Sequence, residues 1–279
     1  MIPWRYLLTL SRPRFWFYVA GPVLVAAAFG ARRVTDLVDG RLIALFLYSL
    51  LPANVLLYGI NDRYDQDVDA ANPKKEDREV RFTAGRAVWS ALGLSGAVSL
   101  WLLWALPAGA RWWLAGFLFL AWGYSAPPLR FKTRPLWDSL SNGLYILPGV
   151  AAYVLLRGAP PPAAAVLAGW LWTMAMHSFS AIPDIIPDRA AGIATTATLL
   201  GAQGTYGYCF LCWLGAALAM AWVAWPLGLL LGLYPMLVAV IAVRGLDVHR
   251  AYWWYPAINT GVGMLLTLAG LGRLVGGGV

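Results

Sequence analysis

Apolar runs long enough to cross a bilayer recur along this chain, and they leave few folds open to it. A helix rising about 1.5 Å per residue needs roughly 20 apolar residues to cross about 30 Å of hydrocarbon. Nine stretches meet that need, near 14–31, 42–61, 87–107, 112–127, 136–156, 163–183, 205–225, 227–243 and 253–272. With 60% hydrophobic residues among 279, 12% charged ones and a mean hydropathy of +0.63, the chain carries more apolar surface than a soluble core can absorb. The expected fold is all-α: a polytopic membrane protein, nine transmembrane helices bundled around a central cavity, forming one domain over residues 1–279.

Trp and Tyr gather at several span ends, as in Trp112 and Trp113 or the run Tyr252, Trp253, Trp254 and Tyr255. Such aromatic belts mark the membrane–water interface. The start, MIPWRYLLTLSRPRFW, is interrupted by Arg5, Arg12 and Arg14, which fits an interfacial helix better than a cleaved signal peptide. On a nine-span topology, 15 of the 21 Lys and Arg fall on the side of the N-terminus and 6 on the other. The positive-inside rule then puts the N-terminus in the cytoplasm and the C-terminus outside. The net charge of +8 follows from that bias, and nucleic acid is not an expected partner.

The acids are more telling. Of 13, only Asp36 and Asp39 fall on the outer side. Two clusters stand directly on span ends at the inner mouth: NDRYDQDVD at 61–69 and IPDIIPD at 182–188. If the second span continues helically, Asn61, Asp65 and Asp69 recur every four residues and form one polar stripe. Asp184 and Asp188 repeat the spacing. Carboxylates so close repel one another, and near lipid their desolvation is costly, so the array calls for cations. Oxygen donors without Cys or His beside them favour a hard ion, and Mg²⁺ is the usual one when phosphate supplies further ligands.

A diphosphate held through Mg²⁺ by two acidic walls is the reading this supports, with Asn61, Asp65, Asp69, Asp184 and Asp188 as metal ligands. Basic side chains nearby would neutralise the remaining phosphate charge: Lys74, Lys75, Arg78, Arg81, Arg130, Lys132 and Arg189. Asp67 lies off the stripe, and Glu76, Asp77 and Glu79 read as solvated loop acids.

NDRYDQDVD followed by NPKK, the loop YSAPPLRFK from Tyr124 to Lys132, and DIIPDRAAG from Asp184 to Gly192 together resemble the UbiA superfamily of intramembrane prenyltransferases. The first fits that superfamily's N-x-x-x-D-x-x-x-D signature with Asp62 in its usual adjoining place, and the last fits D-x-x-x-D. Nine helices with both motifs on cytoplasmic loops is also its architecture, so the resemblance covers nearly the whole chain. It implies a multi-pass enzyme of the cell (inner) membrane with its active site facing the cytoplasm. Such an enzyme takes an isoprenyl diphosphate donor with Mg²⁺ and a lipophilic acceptor from the bilayer, and other enzymes of the pathway are further partners. The diphosphate leaves an allylic cation, which the acceptor attacks.

By the same resemblance Tyr124 faces the prenyl C1, Asp62 contributes to the diphosphate site, and Asp65 is a base near the reacting carbon. One departure is Ala181, where many members carry a third acid of the second motif. Pro183 and Pro187 should also interrupt the helix around Asp184 and Asp188. The stretch AIPDIIPDRAAGIATTATLLG is most similar to the branch that prenylates lycopene in C50 carotenoid synthesis, which implies dimethylallyl diphosphate as donor. Aromatic quinone precursors, chlorophyllide, haem and glycerol phosphate ethers stay open as acceptors.

Two polar residues within spans stand in helical register with the motifs. His177 precedes Asp184 by seven residues and Asn54 precedes Asn61 by seven, so both are candidate substrate contacts; His177 reads equally as a satisfied core histidine. Asn142 in the fifth span is a weaker case. Cys209 and Cys212 form a C-x-x-C inside an apolar span and read as packing thiols. A divalent-cation transporter would need polar residues along a path across the membrane, and the later spans are almost wholly apolar. A CDP-alcohol phosphotransferase would need a D-G-x-x-A core between its acids, which the sequence lacks.

Overall fold

A computed structural model describes residues 4–64 and 85–276, apart from the side chain of Ala87. Every regular element among them is helical. The fourteen α-helices among the described residues are α1 Trp4–Leu10, α2 Trp16–Gly30, α3 Gly40–Leu50, α4 Pro52–Tyr64, α5 Arg86–Ala105, α6 Ala108–Ser125, α7 Trp137–Leu140, α8 Leu147–Arg157, α9 Ala163–Ala181, α10 Ile185–Ala190, α11 Thr196–Val223, α12 Trp225–Leu231, α13 Leu233–Arg244 and α14 Val248–Val275. Short 3₁₀ turns join several of them.

Each of the nine expected spans coincides with helix, but seven stretches among the described residues are long and apolar enough to cross a membrane. These are Gly40–Tyr64, Val88–Ala105, Trp137–Arg157, Ala163–Ala190, Thr196–Val223, Trp225–Arg244 and Val248–Val275. The expected spans at 14–31 and 112–127 correspond to α2 and α6, which fall outside that set. The 15 residues of α2 reach only about 22 Å, and Arg111 with the glycines and aromatics of α6 dilutes its apolar character.

The second span is also not one helix. Pro52 cannot donate to the preceding turn, and the chain breaks between α3 and α4. The Asn54 amide repairs the break by donating to the carbonyls of Ser49 (2.9 Å) and Leu50 (3.0 Å), groups the helix end leaves without partners. Around the second motif the interruption is as the prolines require: α9 stops at Ala181, Ile182–Asp184 form a 3₁₀ turn, and α10 restarts at Ile185.

The chain divides into two compact units: residues 1–129, 147–160 and 267–279, and residues 130–146 and 161–266. In the first, α8 approaches α2 so closely that a Cβ on Gly149 would stand 2.6 Å from the Pro22 carbonyl oxygen. Backbone contact of this kind is how membrane helices gain dispersion energy where lipid offers no hydrophobic drive. Tyr48 packs edge-on to Phe117, and its hydroxyl shares a 2.8 Å hydrogen bond with Ser99. The core of the second unit is aromatic: Trp213 stacks on Tyr234 and Tyr255, with ring centroids 5.5 and 5.7 Å apart, and Phe179 lies 4.7 Å from Tyr255. Cys209 and Cys212 sit in this core as free, buried thiols, the packing role their apolar setting implied.

Candidate active site

The first motif begins on the last turns of α4. Asn61 and Asp62 lie there, while Asp65, Asp69, Lys74, Lys75 and Arg78 fall outside the described residues, as do Asp67, Glu76, Asp77, Glu79 and Arg81. Asp62 is 1% exposed and accepts a 3.0 Å hydrogen bond from the Arg12 guanidinium, which also lies 4.5 Å over the Tyr58 ring. A buried carboxylate is tolerable only with such a partner. The Asn61 amide donates to the same Asp62 oxygen at 3.4 Å, and its own oxygen accepts from the Ser125 hydroxyl at 2.9 Å. Arg12, Asp62, Asn61 and Ser125 thus form one network that fixes the amide plane of Asn61. Arg12 holds left-handed backbone angles (φ 49°, ψ 70°) at the turn after α1, so the N-terminal segment is shaped to deliver it.

Tyr124 is the penultimate residue of α6, half-buried beside Ser125. The loop after it passes a cis Pro127–Pro128 bond and reaches Arg130, again left-handed (φ 40°, ψ 54°), which leads into the 3₁₀ turn Phe131–Thr133 carrying the half-buried Lys132.

At the second motif Asp184 and Asp188 are both half-buried. The Asp188 carbonyl accepts from Ile193 N (2.8 Å) as the chain turns through Gly192 at φ 69°. That closure needs a positive φ, which glycine supplies without strain. Arg189 is exposed and donates to the Thr198 carbonyl, so its guanidinium is held near the start of α11. Thr195 caps that helix reciprocally with Thr198.

Two candidates have other partners. Asn54 is fully buried and gives its amide protons to the helix break, with its Oδ1 lacking a hydrogen-bond partner among the described residues. The Nε2 of His177 lies 3.6 Å from an oxygen of Asp138, a carboxylate with 0% exposure. Asp138 accepts from the backbone N–H of Thr196 (2.9 Å) and from the Thr196 hydroxyl, which in turn accepts from Leu136 N (2.8 Å). The Asn142 amide donates to the Asp138 carbonyl.

Reading along the sequence singled out neither Arg12 nor Asp138. Arg12 stands 50 residues from its partner. Asp138 did leave a signal, since an acid inside an apolar span is costly and calls for a reason.

The donor atoms suit a hard divalent cation: amide and carboxylate oxygens, with no soft ligand in either motif. Among the described residues no three of His, Cys, Asp and Glu gather into a metal site. Asp184 and Asp188 fit the way Mg²⁺ binds in phosphate sites, through one or two carboxylates plus water and phosphate oxygens.

An all-helical fold with helices long and apolar enough to cross a membrane, and with acidic motifs at helix ends, defines a multi-pass membrane protein. The model of the UbiA prenyltransferase family matches residues 19–261. The chain belongs to that family, and is a prenyltransferase. The lycopene elongase/hydratase of Haloferax volcanii is 57% identical over 272 residues, covering 98% of this chain and 90% of that protein. The protein of that name from Halobacterium salinarum is 55% identical over 273 residues, covering 98% and 99%. Among solved structures, a UbiA homologue from Archaeoglobus fulgidus bound to DMAPP and Mg²⁺ superposes with a TM-score of 0.75 at 20% identity, covering 95% of this chain and 99% of that one.

Proposed function

We propose that this protein transfers the five-carbon prenyl group of dimethylallyl diphosphate to an end of lycopene and adds water to the product. The observation that carries the reading is the 57% and 55% identity to lycopene elongase/hydratases across 98% of the chain. The family match at residues 19–261 runs through both compact units, which supports a single prenyltransferase domain over 1–279.

In this reading Asn61, Asp65, Asp69, Asp184 and Asp188 hold Mg²⁺ and, through it, the diphosphate. When bound, the metal neutralises charge on the departing diphosphate. Asp62 keeps Asn61 oriented, and Lys74, Lys75, Arg78, Arg130, Lys132 and Arg189 supply further positive charge to the phosphates. The Tyr124 ring faces the allylic cation that remains, an electron-rich surface that stabilises it without capturing it. The terminal alkene of lycopene donates its π electrons to that cation and leaves a tertiary cation. This second cation loses a proton, to Asp65, or takes up water.

His177 borders the acceptor, while Asn54, buried with its amide spent on the helix break, serves the donor site only by setting the course of α4. Nine spans, a cytoplasmic N-terminus and a site on the cytoplasmic face of the cell membrane complete the proposal, supported by the 15-to-6 distribution of basic residues. Lycopene arrives within the bilayer, through contacts with the enzymes that make it.

The test is expression in a bacterium engineered to accumulate lycopene, followed by mass analysis of its pigments. Gain of one or two C5 units, with water, is the expected result. Unchanged lycopene beside well-expressed protein would exclude this acceptor and direct Mg²⁺-dependent assays to longer diphosphates and aromatic acceptors.

A further inference from the structure

Taking lycopene prenylation as the reaction, we propose that His177, held by Asp138, accepts the proton of the water that captures the final cation. Capture by water has a proton balance that the prenyl-transfer step does not. The water oxygen forms a C–O bond with the tertiary carbon, giving a protonated alcohol, and one proton must then leave. In an apolar cavity it needs a base of suitable strength close by.

His177 is one of two histidines in the chain, and His249 is the other. An imidazole carries one ring nitrogen that can accept a proton and one that can donate, the inventory a proton acceptor needs. Its position is appropriate: it lies in the last two turns of α9, seven residues before Asp184 and ahead of the 3₁₀ turn that carries that acid, and hence farther along the span from the phosphate end of the donor.

Its surroundings are built rather than incidental. Asp138 has no solvent exposure, a state that costs several kcal/mol for a carboxylate unless it is compensated. Thr196 meets it with a backbone N–H and a hydroxyl, and Nε2 of His177 approaches its other side at 3.6 Å. At 3.6 Å the carboxylate stands within ion-pairing distance of Nε2, so it stabilises the imidazolium once the ring has taken a proton. The His177 side chain keeps 17% exposure, so the ring is not sealed in as Asp138 is. By itself the capping of Thr196 would explain Asp138; it would not explain a histidine set against that carboxylate within a span.

His177 is therefore the catalytic group of the water-capture step and Asp138 its positioning residue. The proton passes from the oxonium to the imidazole, the C–O bond remains, and the imidazolium later releases the proton to solvent.

The experiment expresses wild type, His177→Gln and Asp138→Asn in lycopene-producing cells, checks each protein in the membrane fraction, and measures the ratio of hydroxylated to unhydroxylated elongated pigments. A ratio does not depend on how much pigment is converted. We expect it to fall at least about tenfold in His177→Gln, a conservative fraction of what a proton acceptor contributes, and less in Asp138→Asn. A wild-type ratio in both variants overturns the inference. So does loss of all elongation by membrane-inserted His177→Gln, which would place the histidine before the cation is captured. If wild type itself makes no elongated pigment, it is the underlying assignment of substrate that fails.

Discussion

Arg12 shows how far a site can depend on a residue outside its motif. Its guanidinium faces Asp62 at 3.0 Å, and the carboxylate is 2% exposed. Removing Arg12 takes away the cation that faces this buried carboxylate. Arg12→Ala should therefore destabilise the protein by about 3 kcal/mol, measured as unfolding in detergent. Asp184→Ala should do the opposite: prenyl transfer falls by at least about 10²-fold, the range for loss of one charge-stabilising group, with little effect on the unfolding midpoint because Asp184 is only half-buried. Retained transfer would remove Asp184 from the metal site. The contrast also explains what was legible. Asp184 and Asp188 announce themselves by spacing within five residues, whereas Arg12 with Asp62 and His177 with Asp138 are joined only by folding, 50 and 39 residues apart.

Helices were legible where apolar length and proline coincide. The prolines at 183 and 187 predicted the interruption that the 3₁₀ turn Ile182–Asp184 displays. Pro52 predicted nothing so definite, because a membrane helix can carry a proline through if its neighbours re-satisfy the backbone; the Asn54 amide does so across a full break. Close packing was invisible until the partner was known. Gly149 resembles any glycine in an apolar run, yet a Cβ there would meet the Pro22 oxygen at 2.6 Å, so Gly149→Ala should cost about 1–3 kcal/mol in thermal unfolding as α2 and α8 are forced apart.

At the N-terminal end of α3, Asp39 caps the helix by accepting from Arg41 N (2.8 Å). Its hydrogen bond with the Arg41 side chain holds its pKa below the usual carboxylate value. A depressed folded pKa means the cap's contribution is complete above the unfolded value near ~3.9 and is lost as pH falls through the folded one. Unfolding scans from about pH 5 down to 2 should show an acid-dependent loss of roughly 0.5–1 kcal/mol that Asp39→Asn lacks.

Sidedness of the membrane ties the two motifs together more stringently than either does alone. If only the seven stretches from Gly40–Tyr64 to Val248–Val275 crossed, four crossings would lie between Gly40 and Ala190, three of them after the first motif. The helix ends at Tyr64 and Ala190 would then be separated by Val88–Ala105, Trp137–Arg157 and Ala163–Ala190, an odd number, and would lie on opposite faces. A single diphosphate could not then be served by both. Adding α6, Ala108–Ser125, makes the number even and returns them to one face; adding α2 changes only the side of the N-terminus. The 18 residues of α6 span about 27 Å, enough for the hydrocarbon with its aromatic ends at the interface. The proposed two-walled site therefore requires that α6 cross, although its own composition argues for crossing only weakly. With Cys209 and Cys212 replaced, a single cysteine at Gly85 and one at Gly192 should react with a membrane-impermeant maleimide from the cytoplasmic face alone, and one at Pro107 from the outer face alone. Labelling of the Gly85 and Gly192 positions from opposite faces would remove the shared metal site along with the nine-span topology.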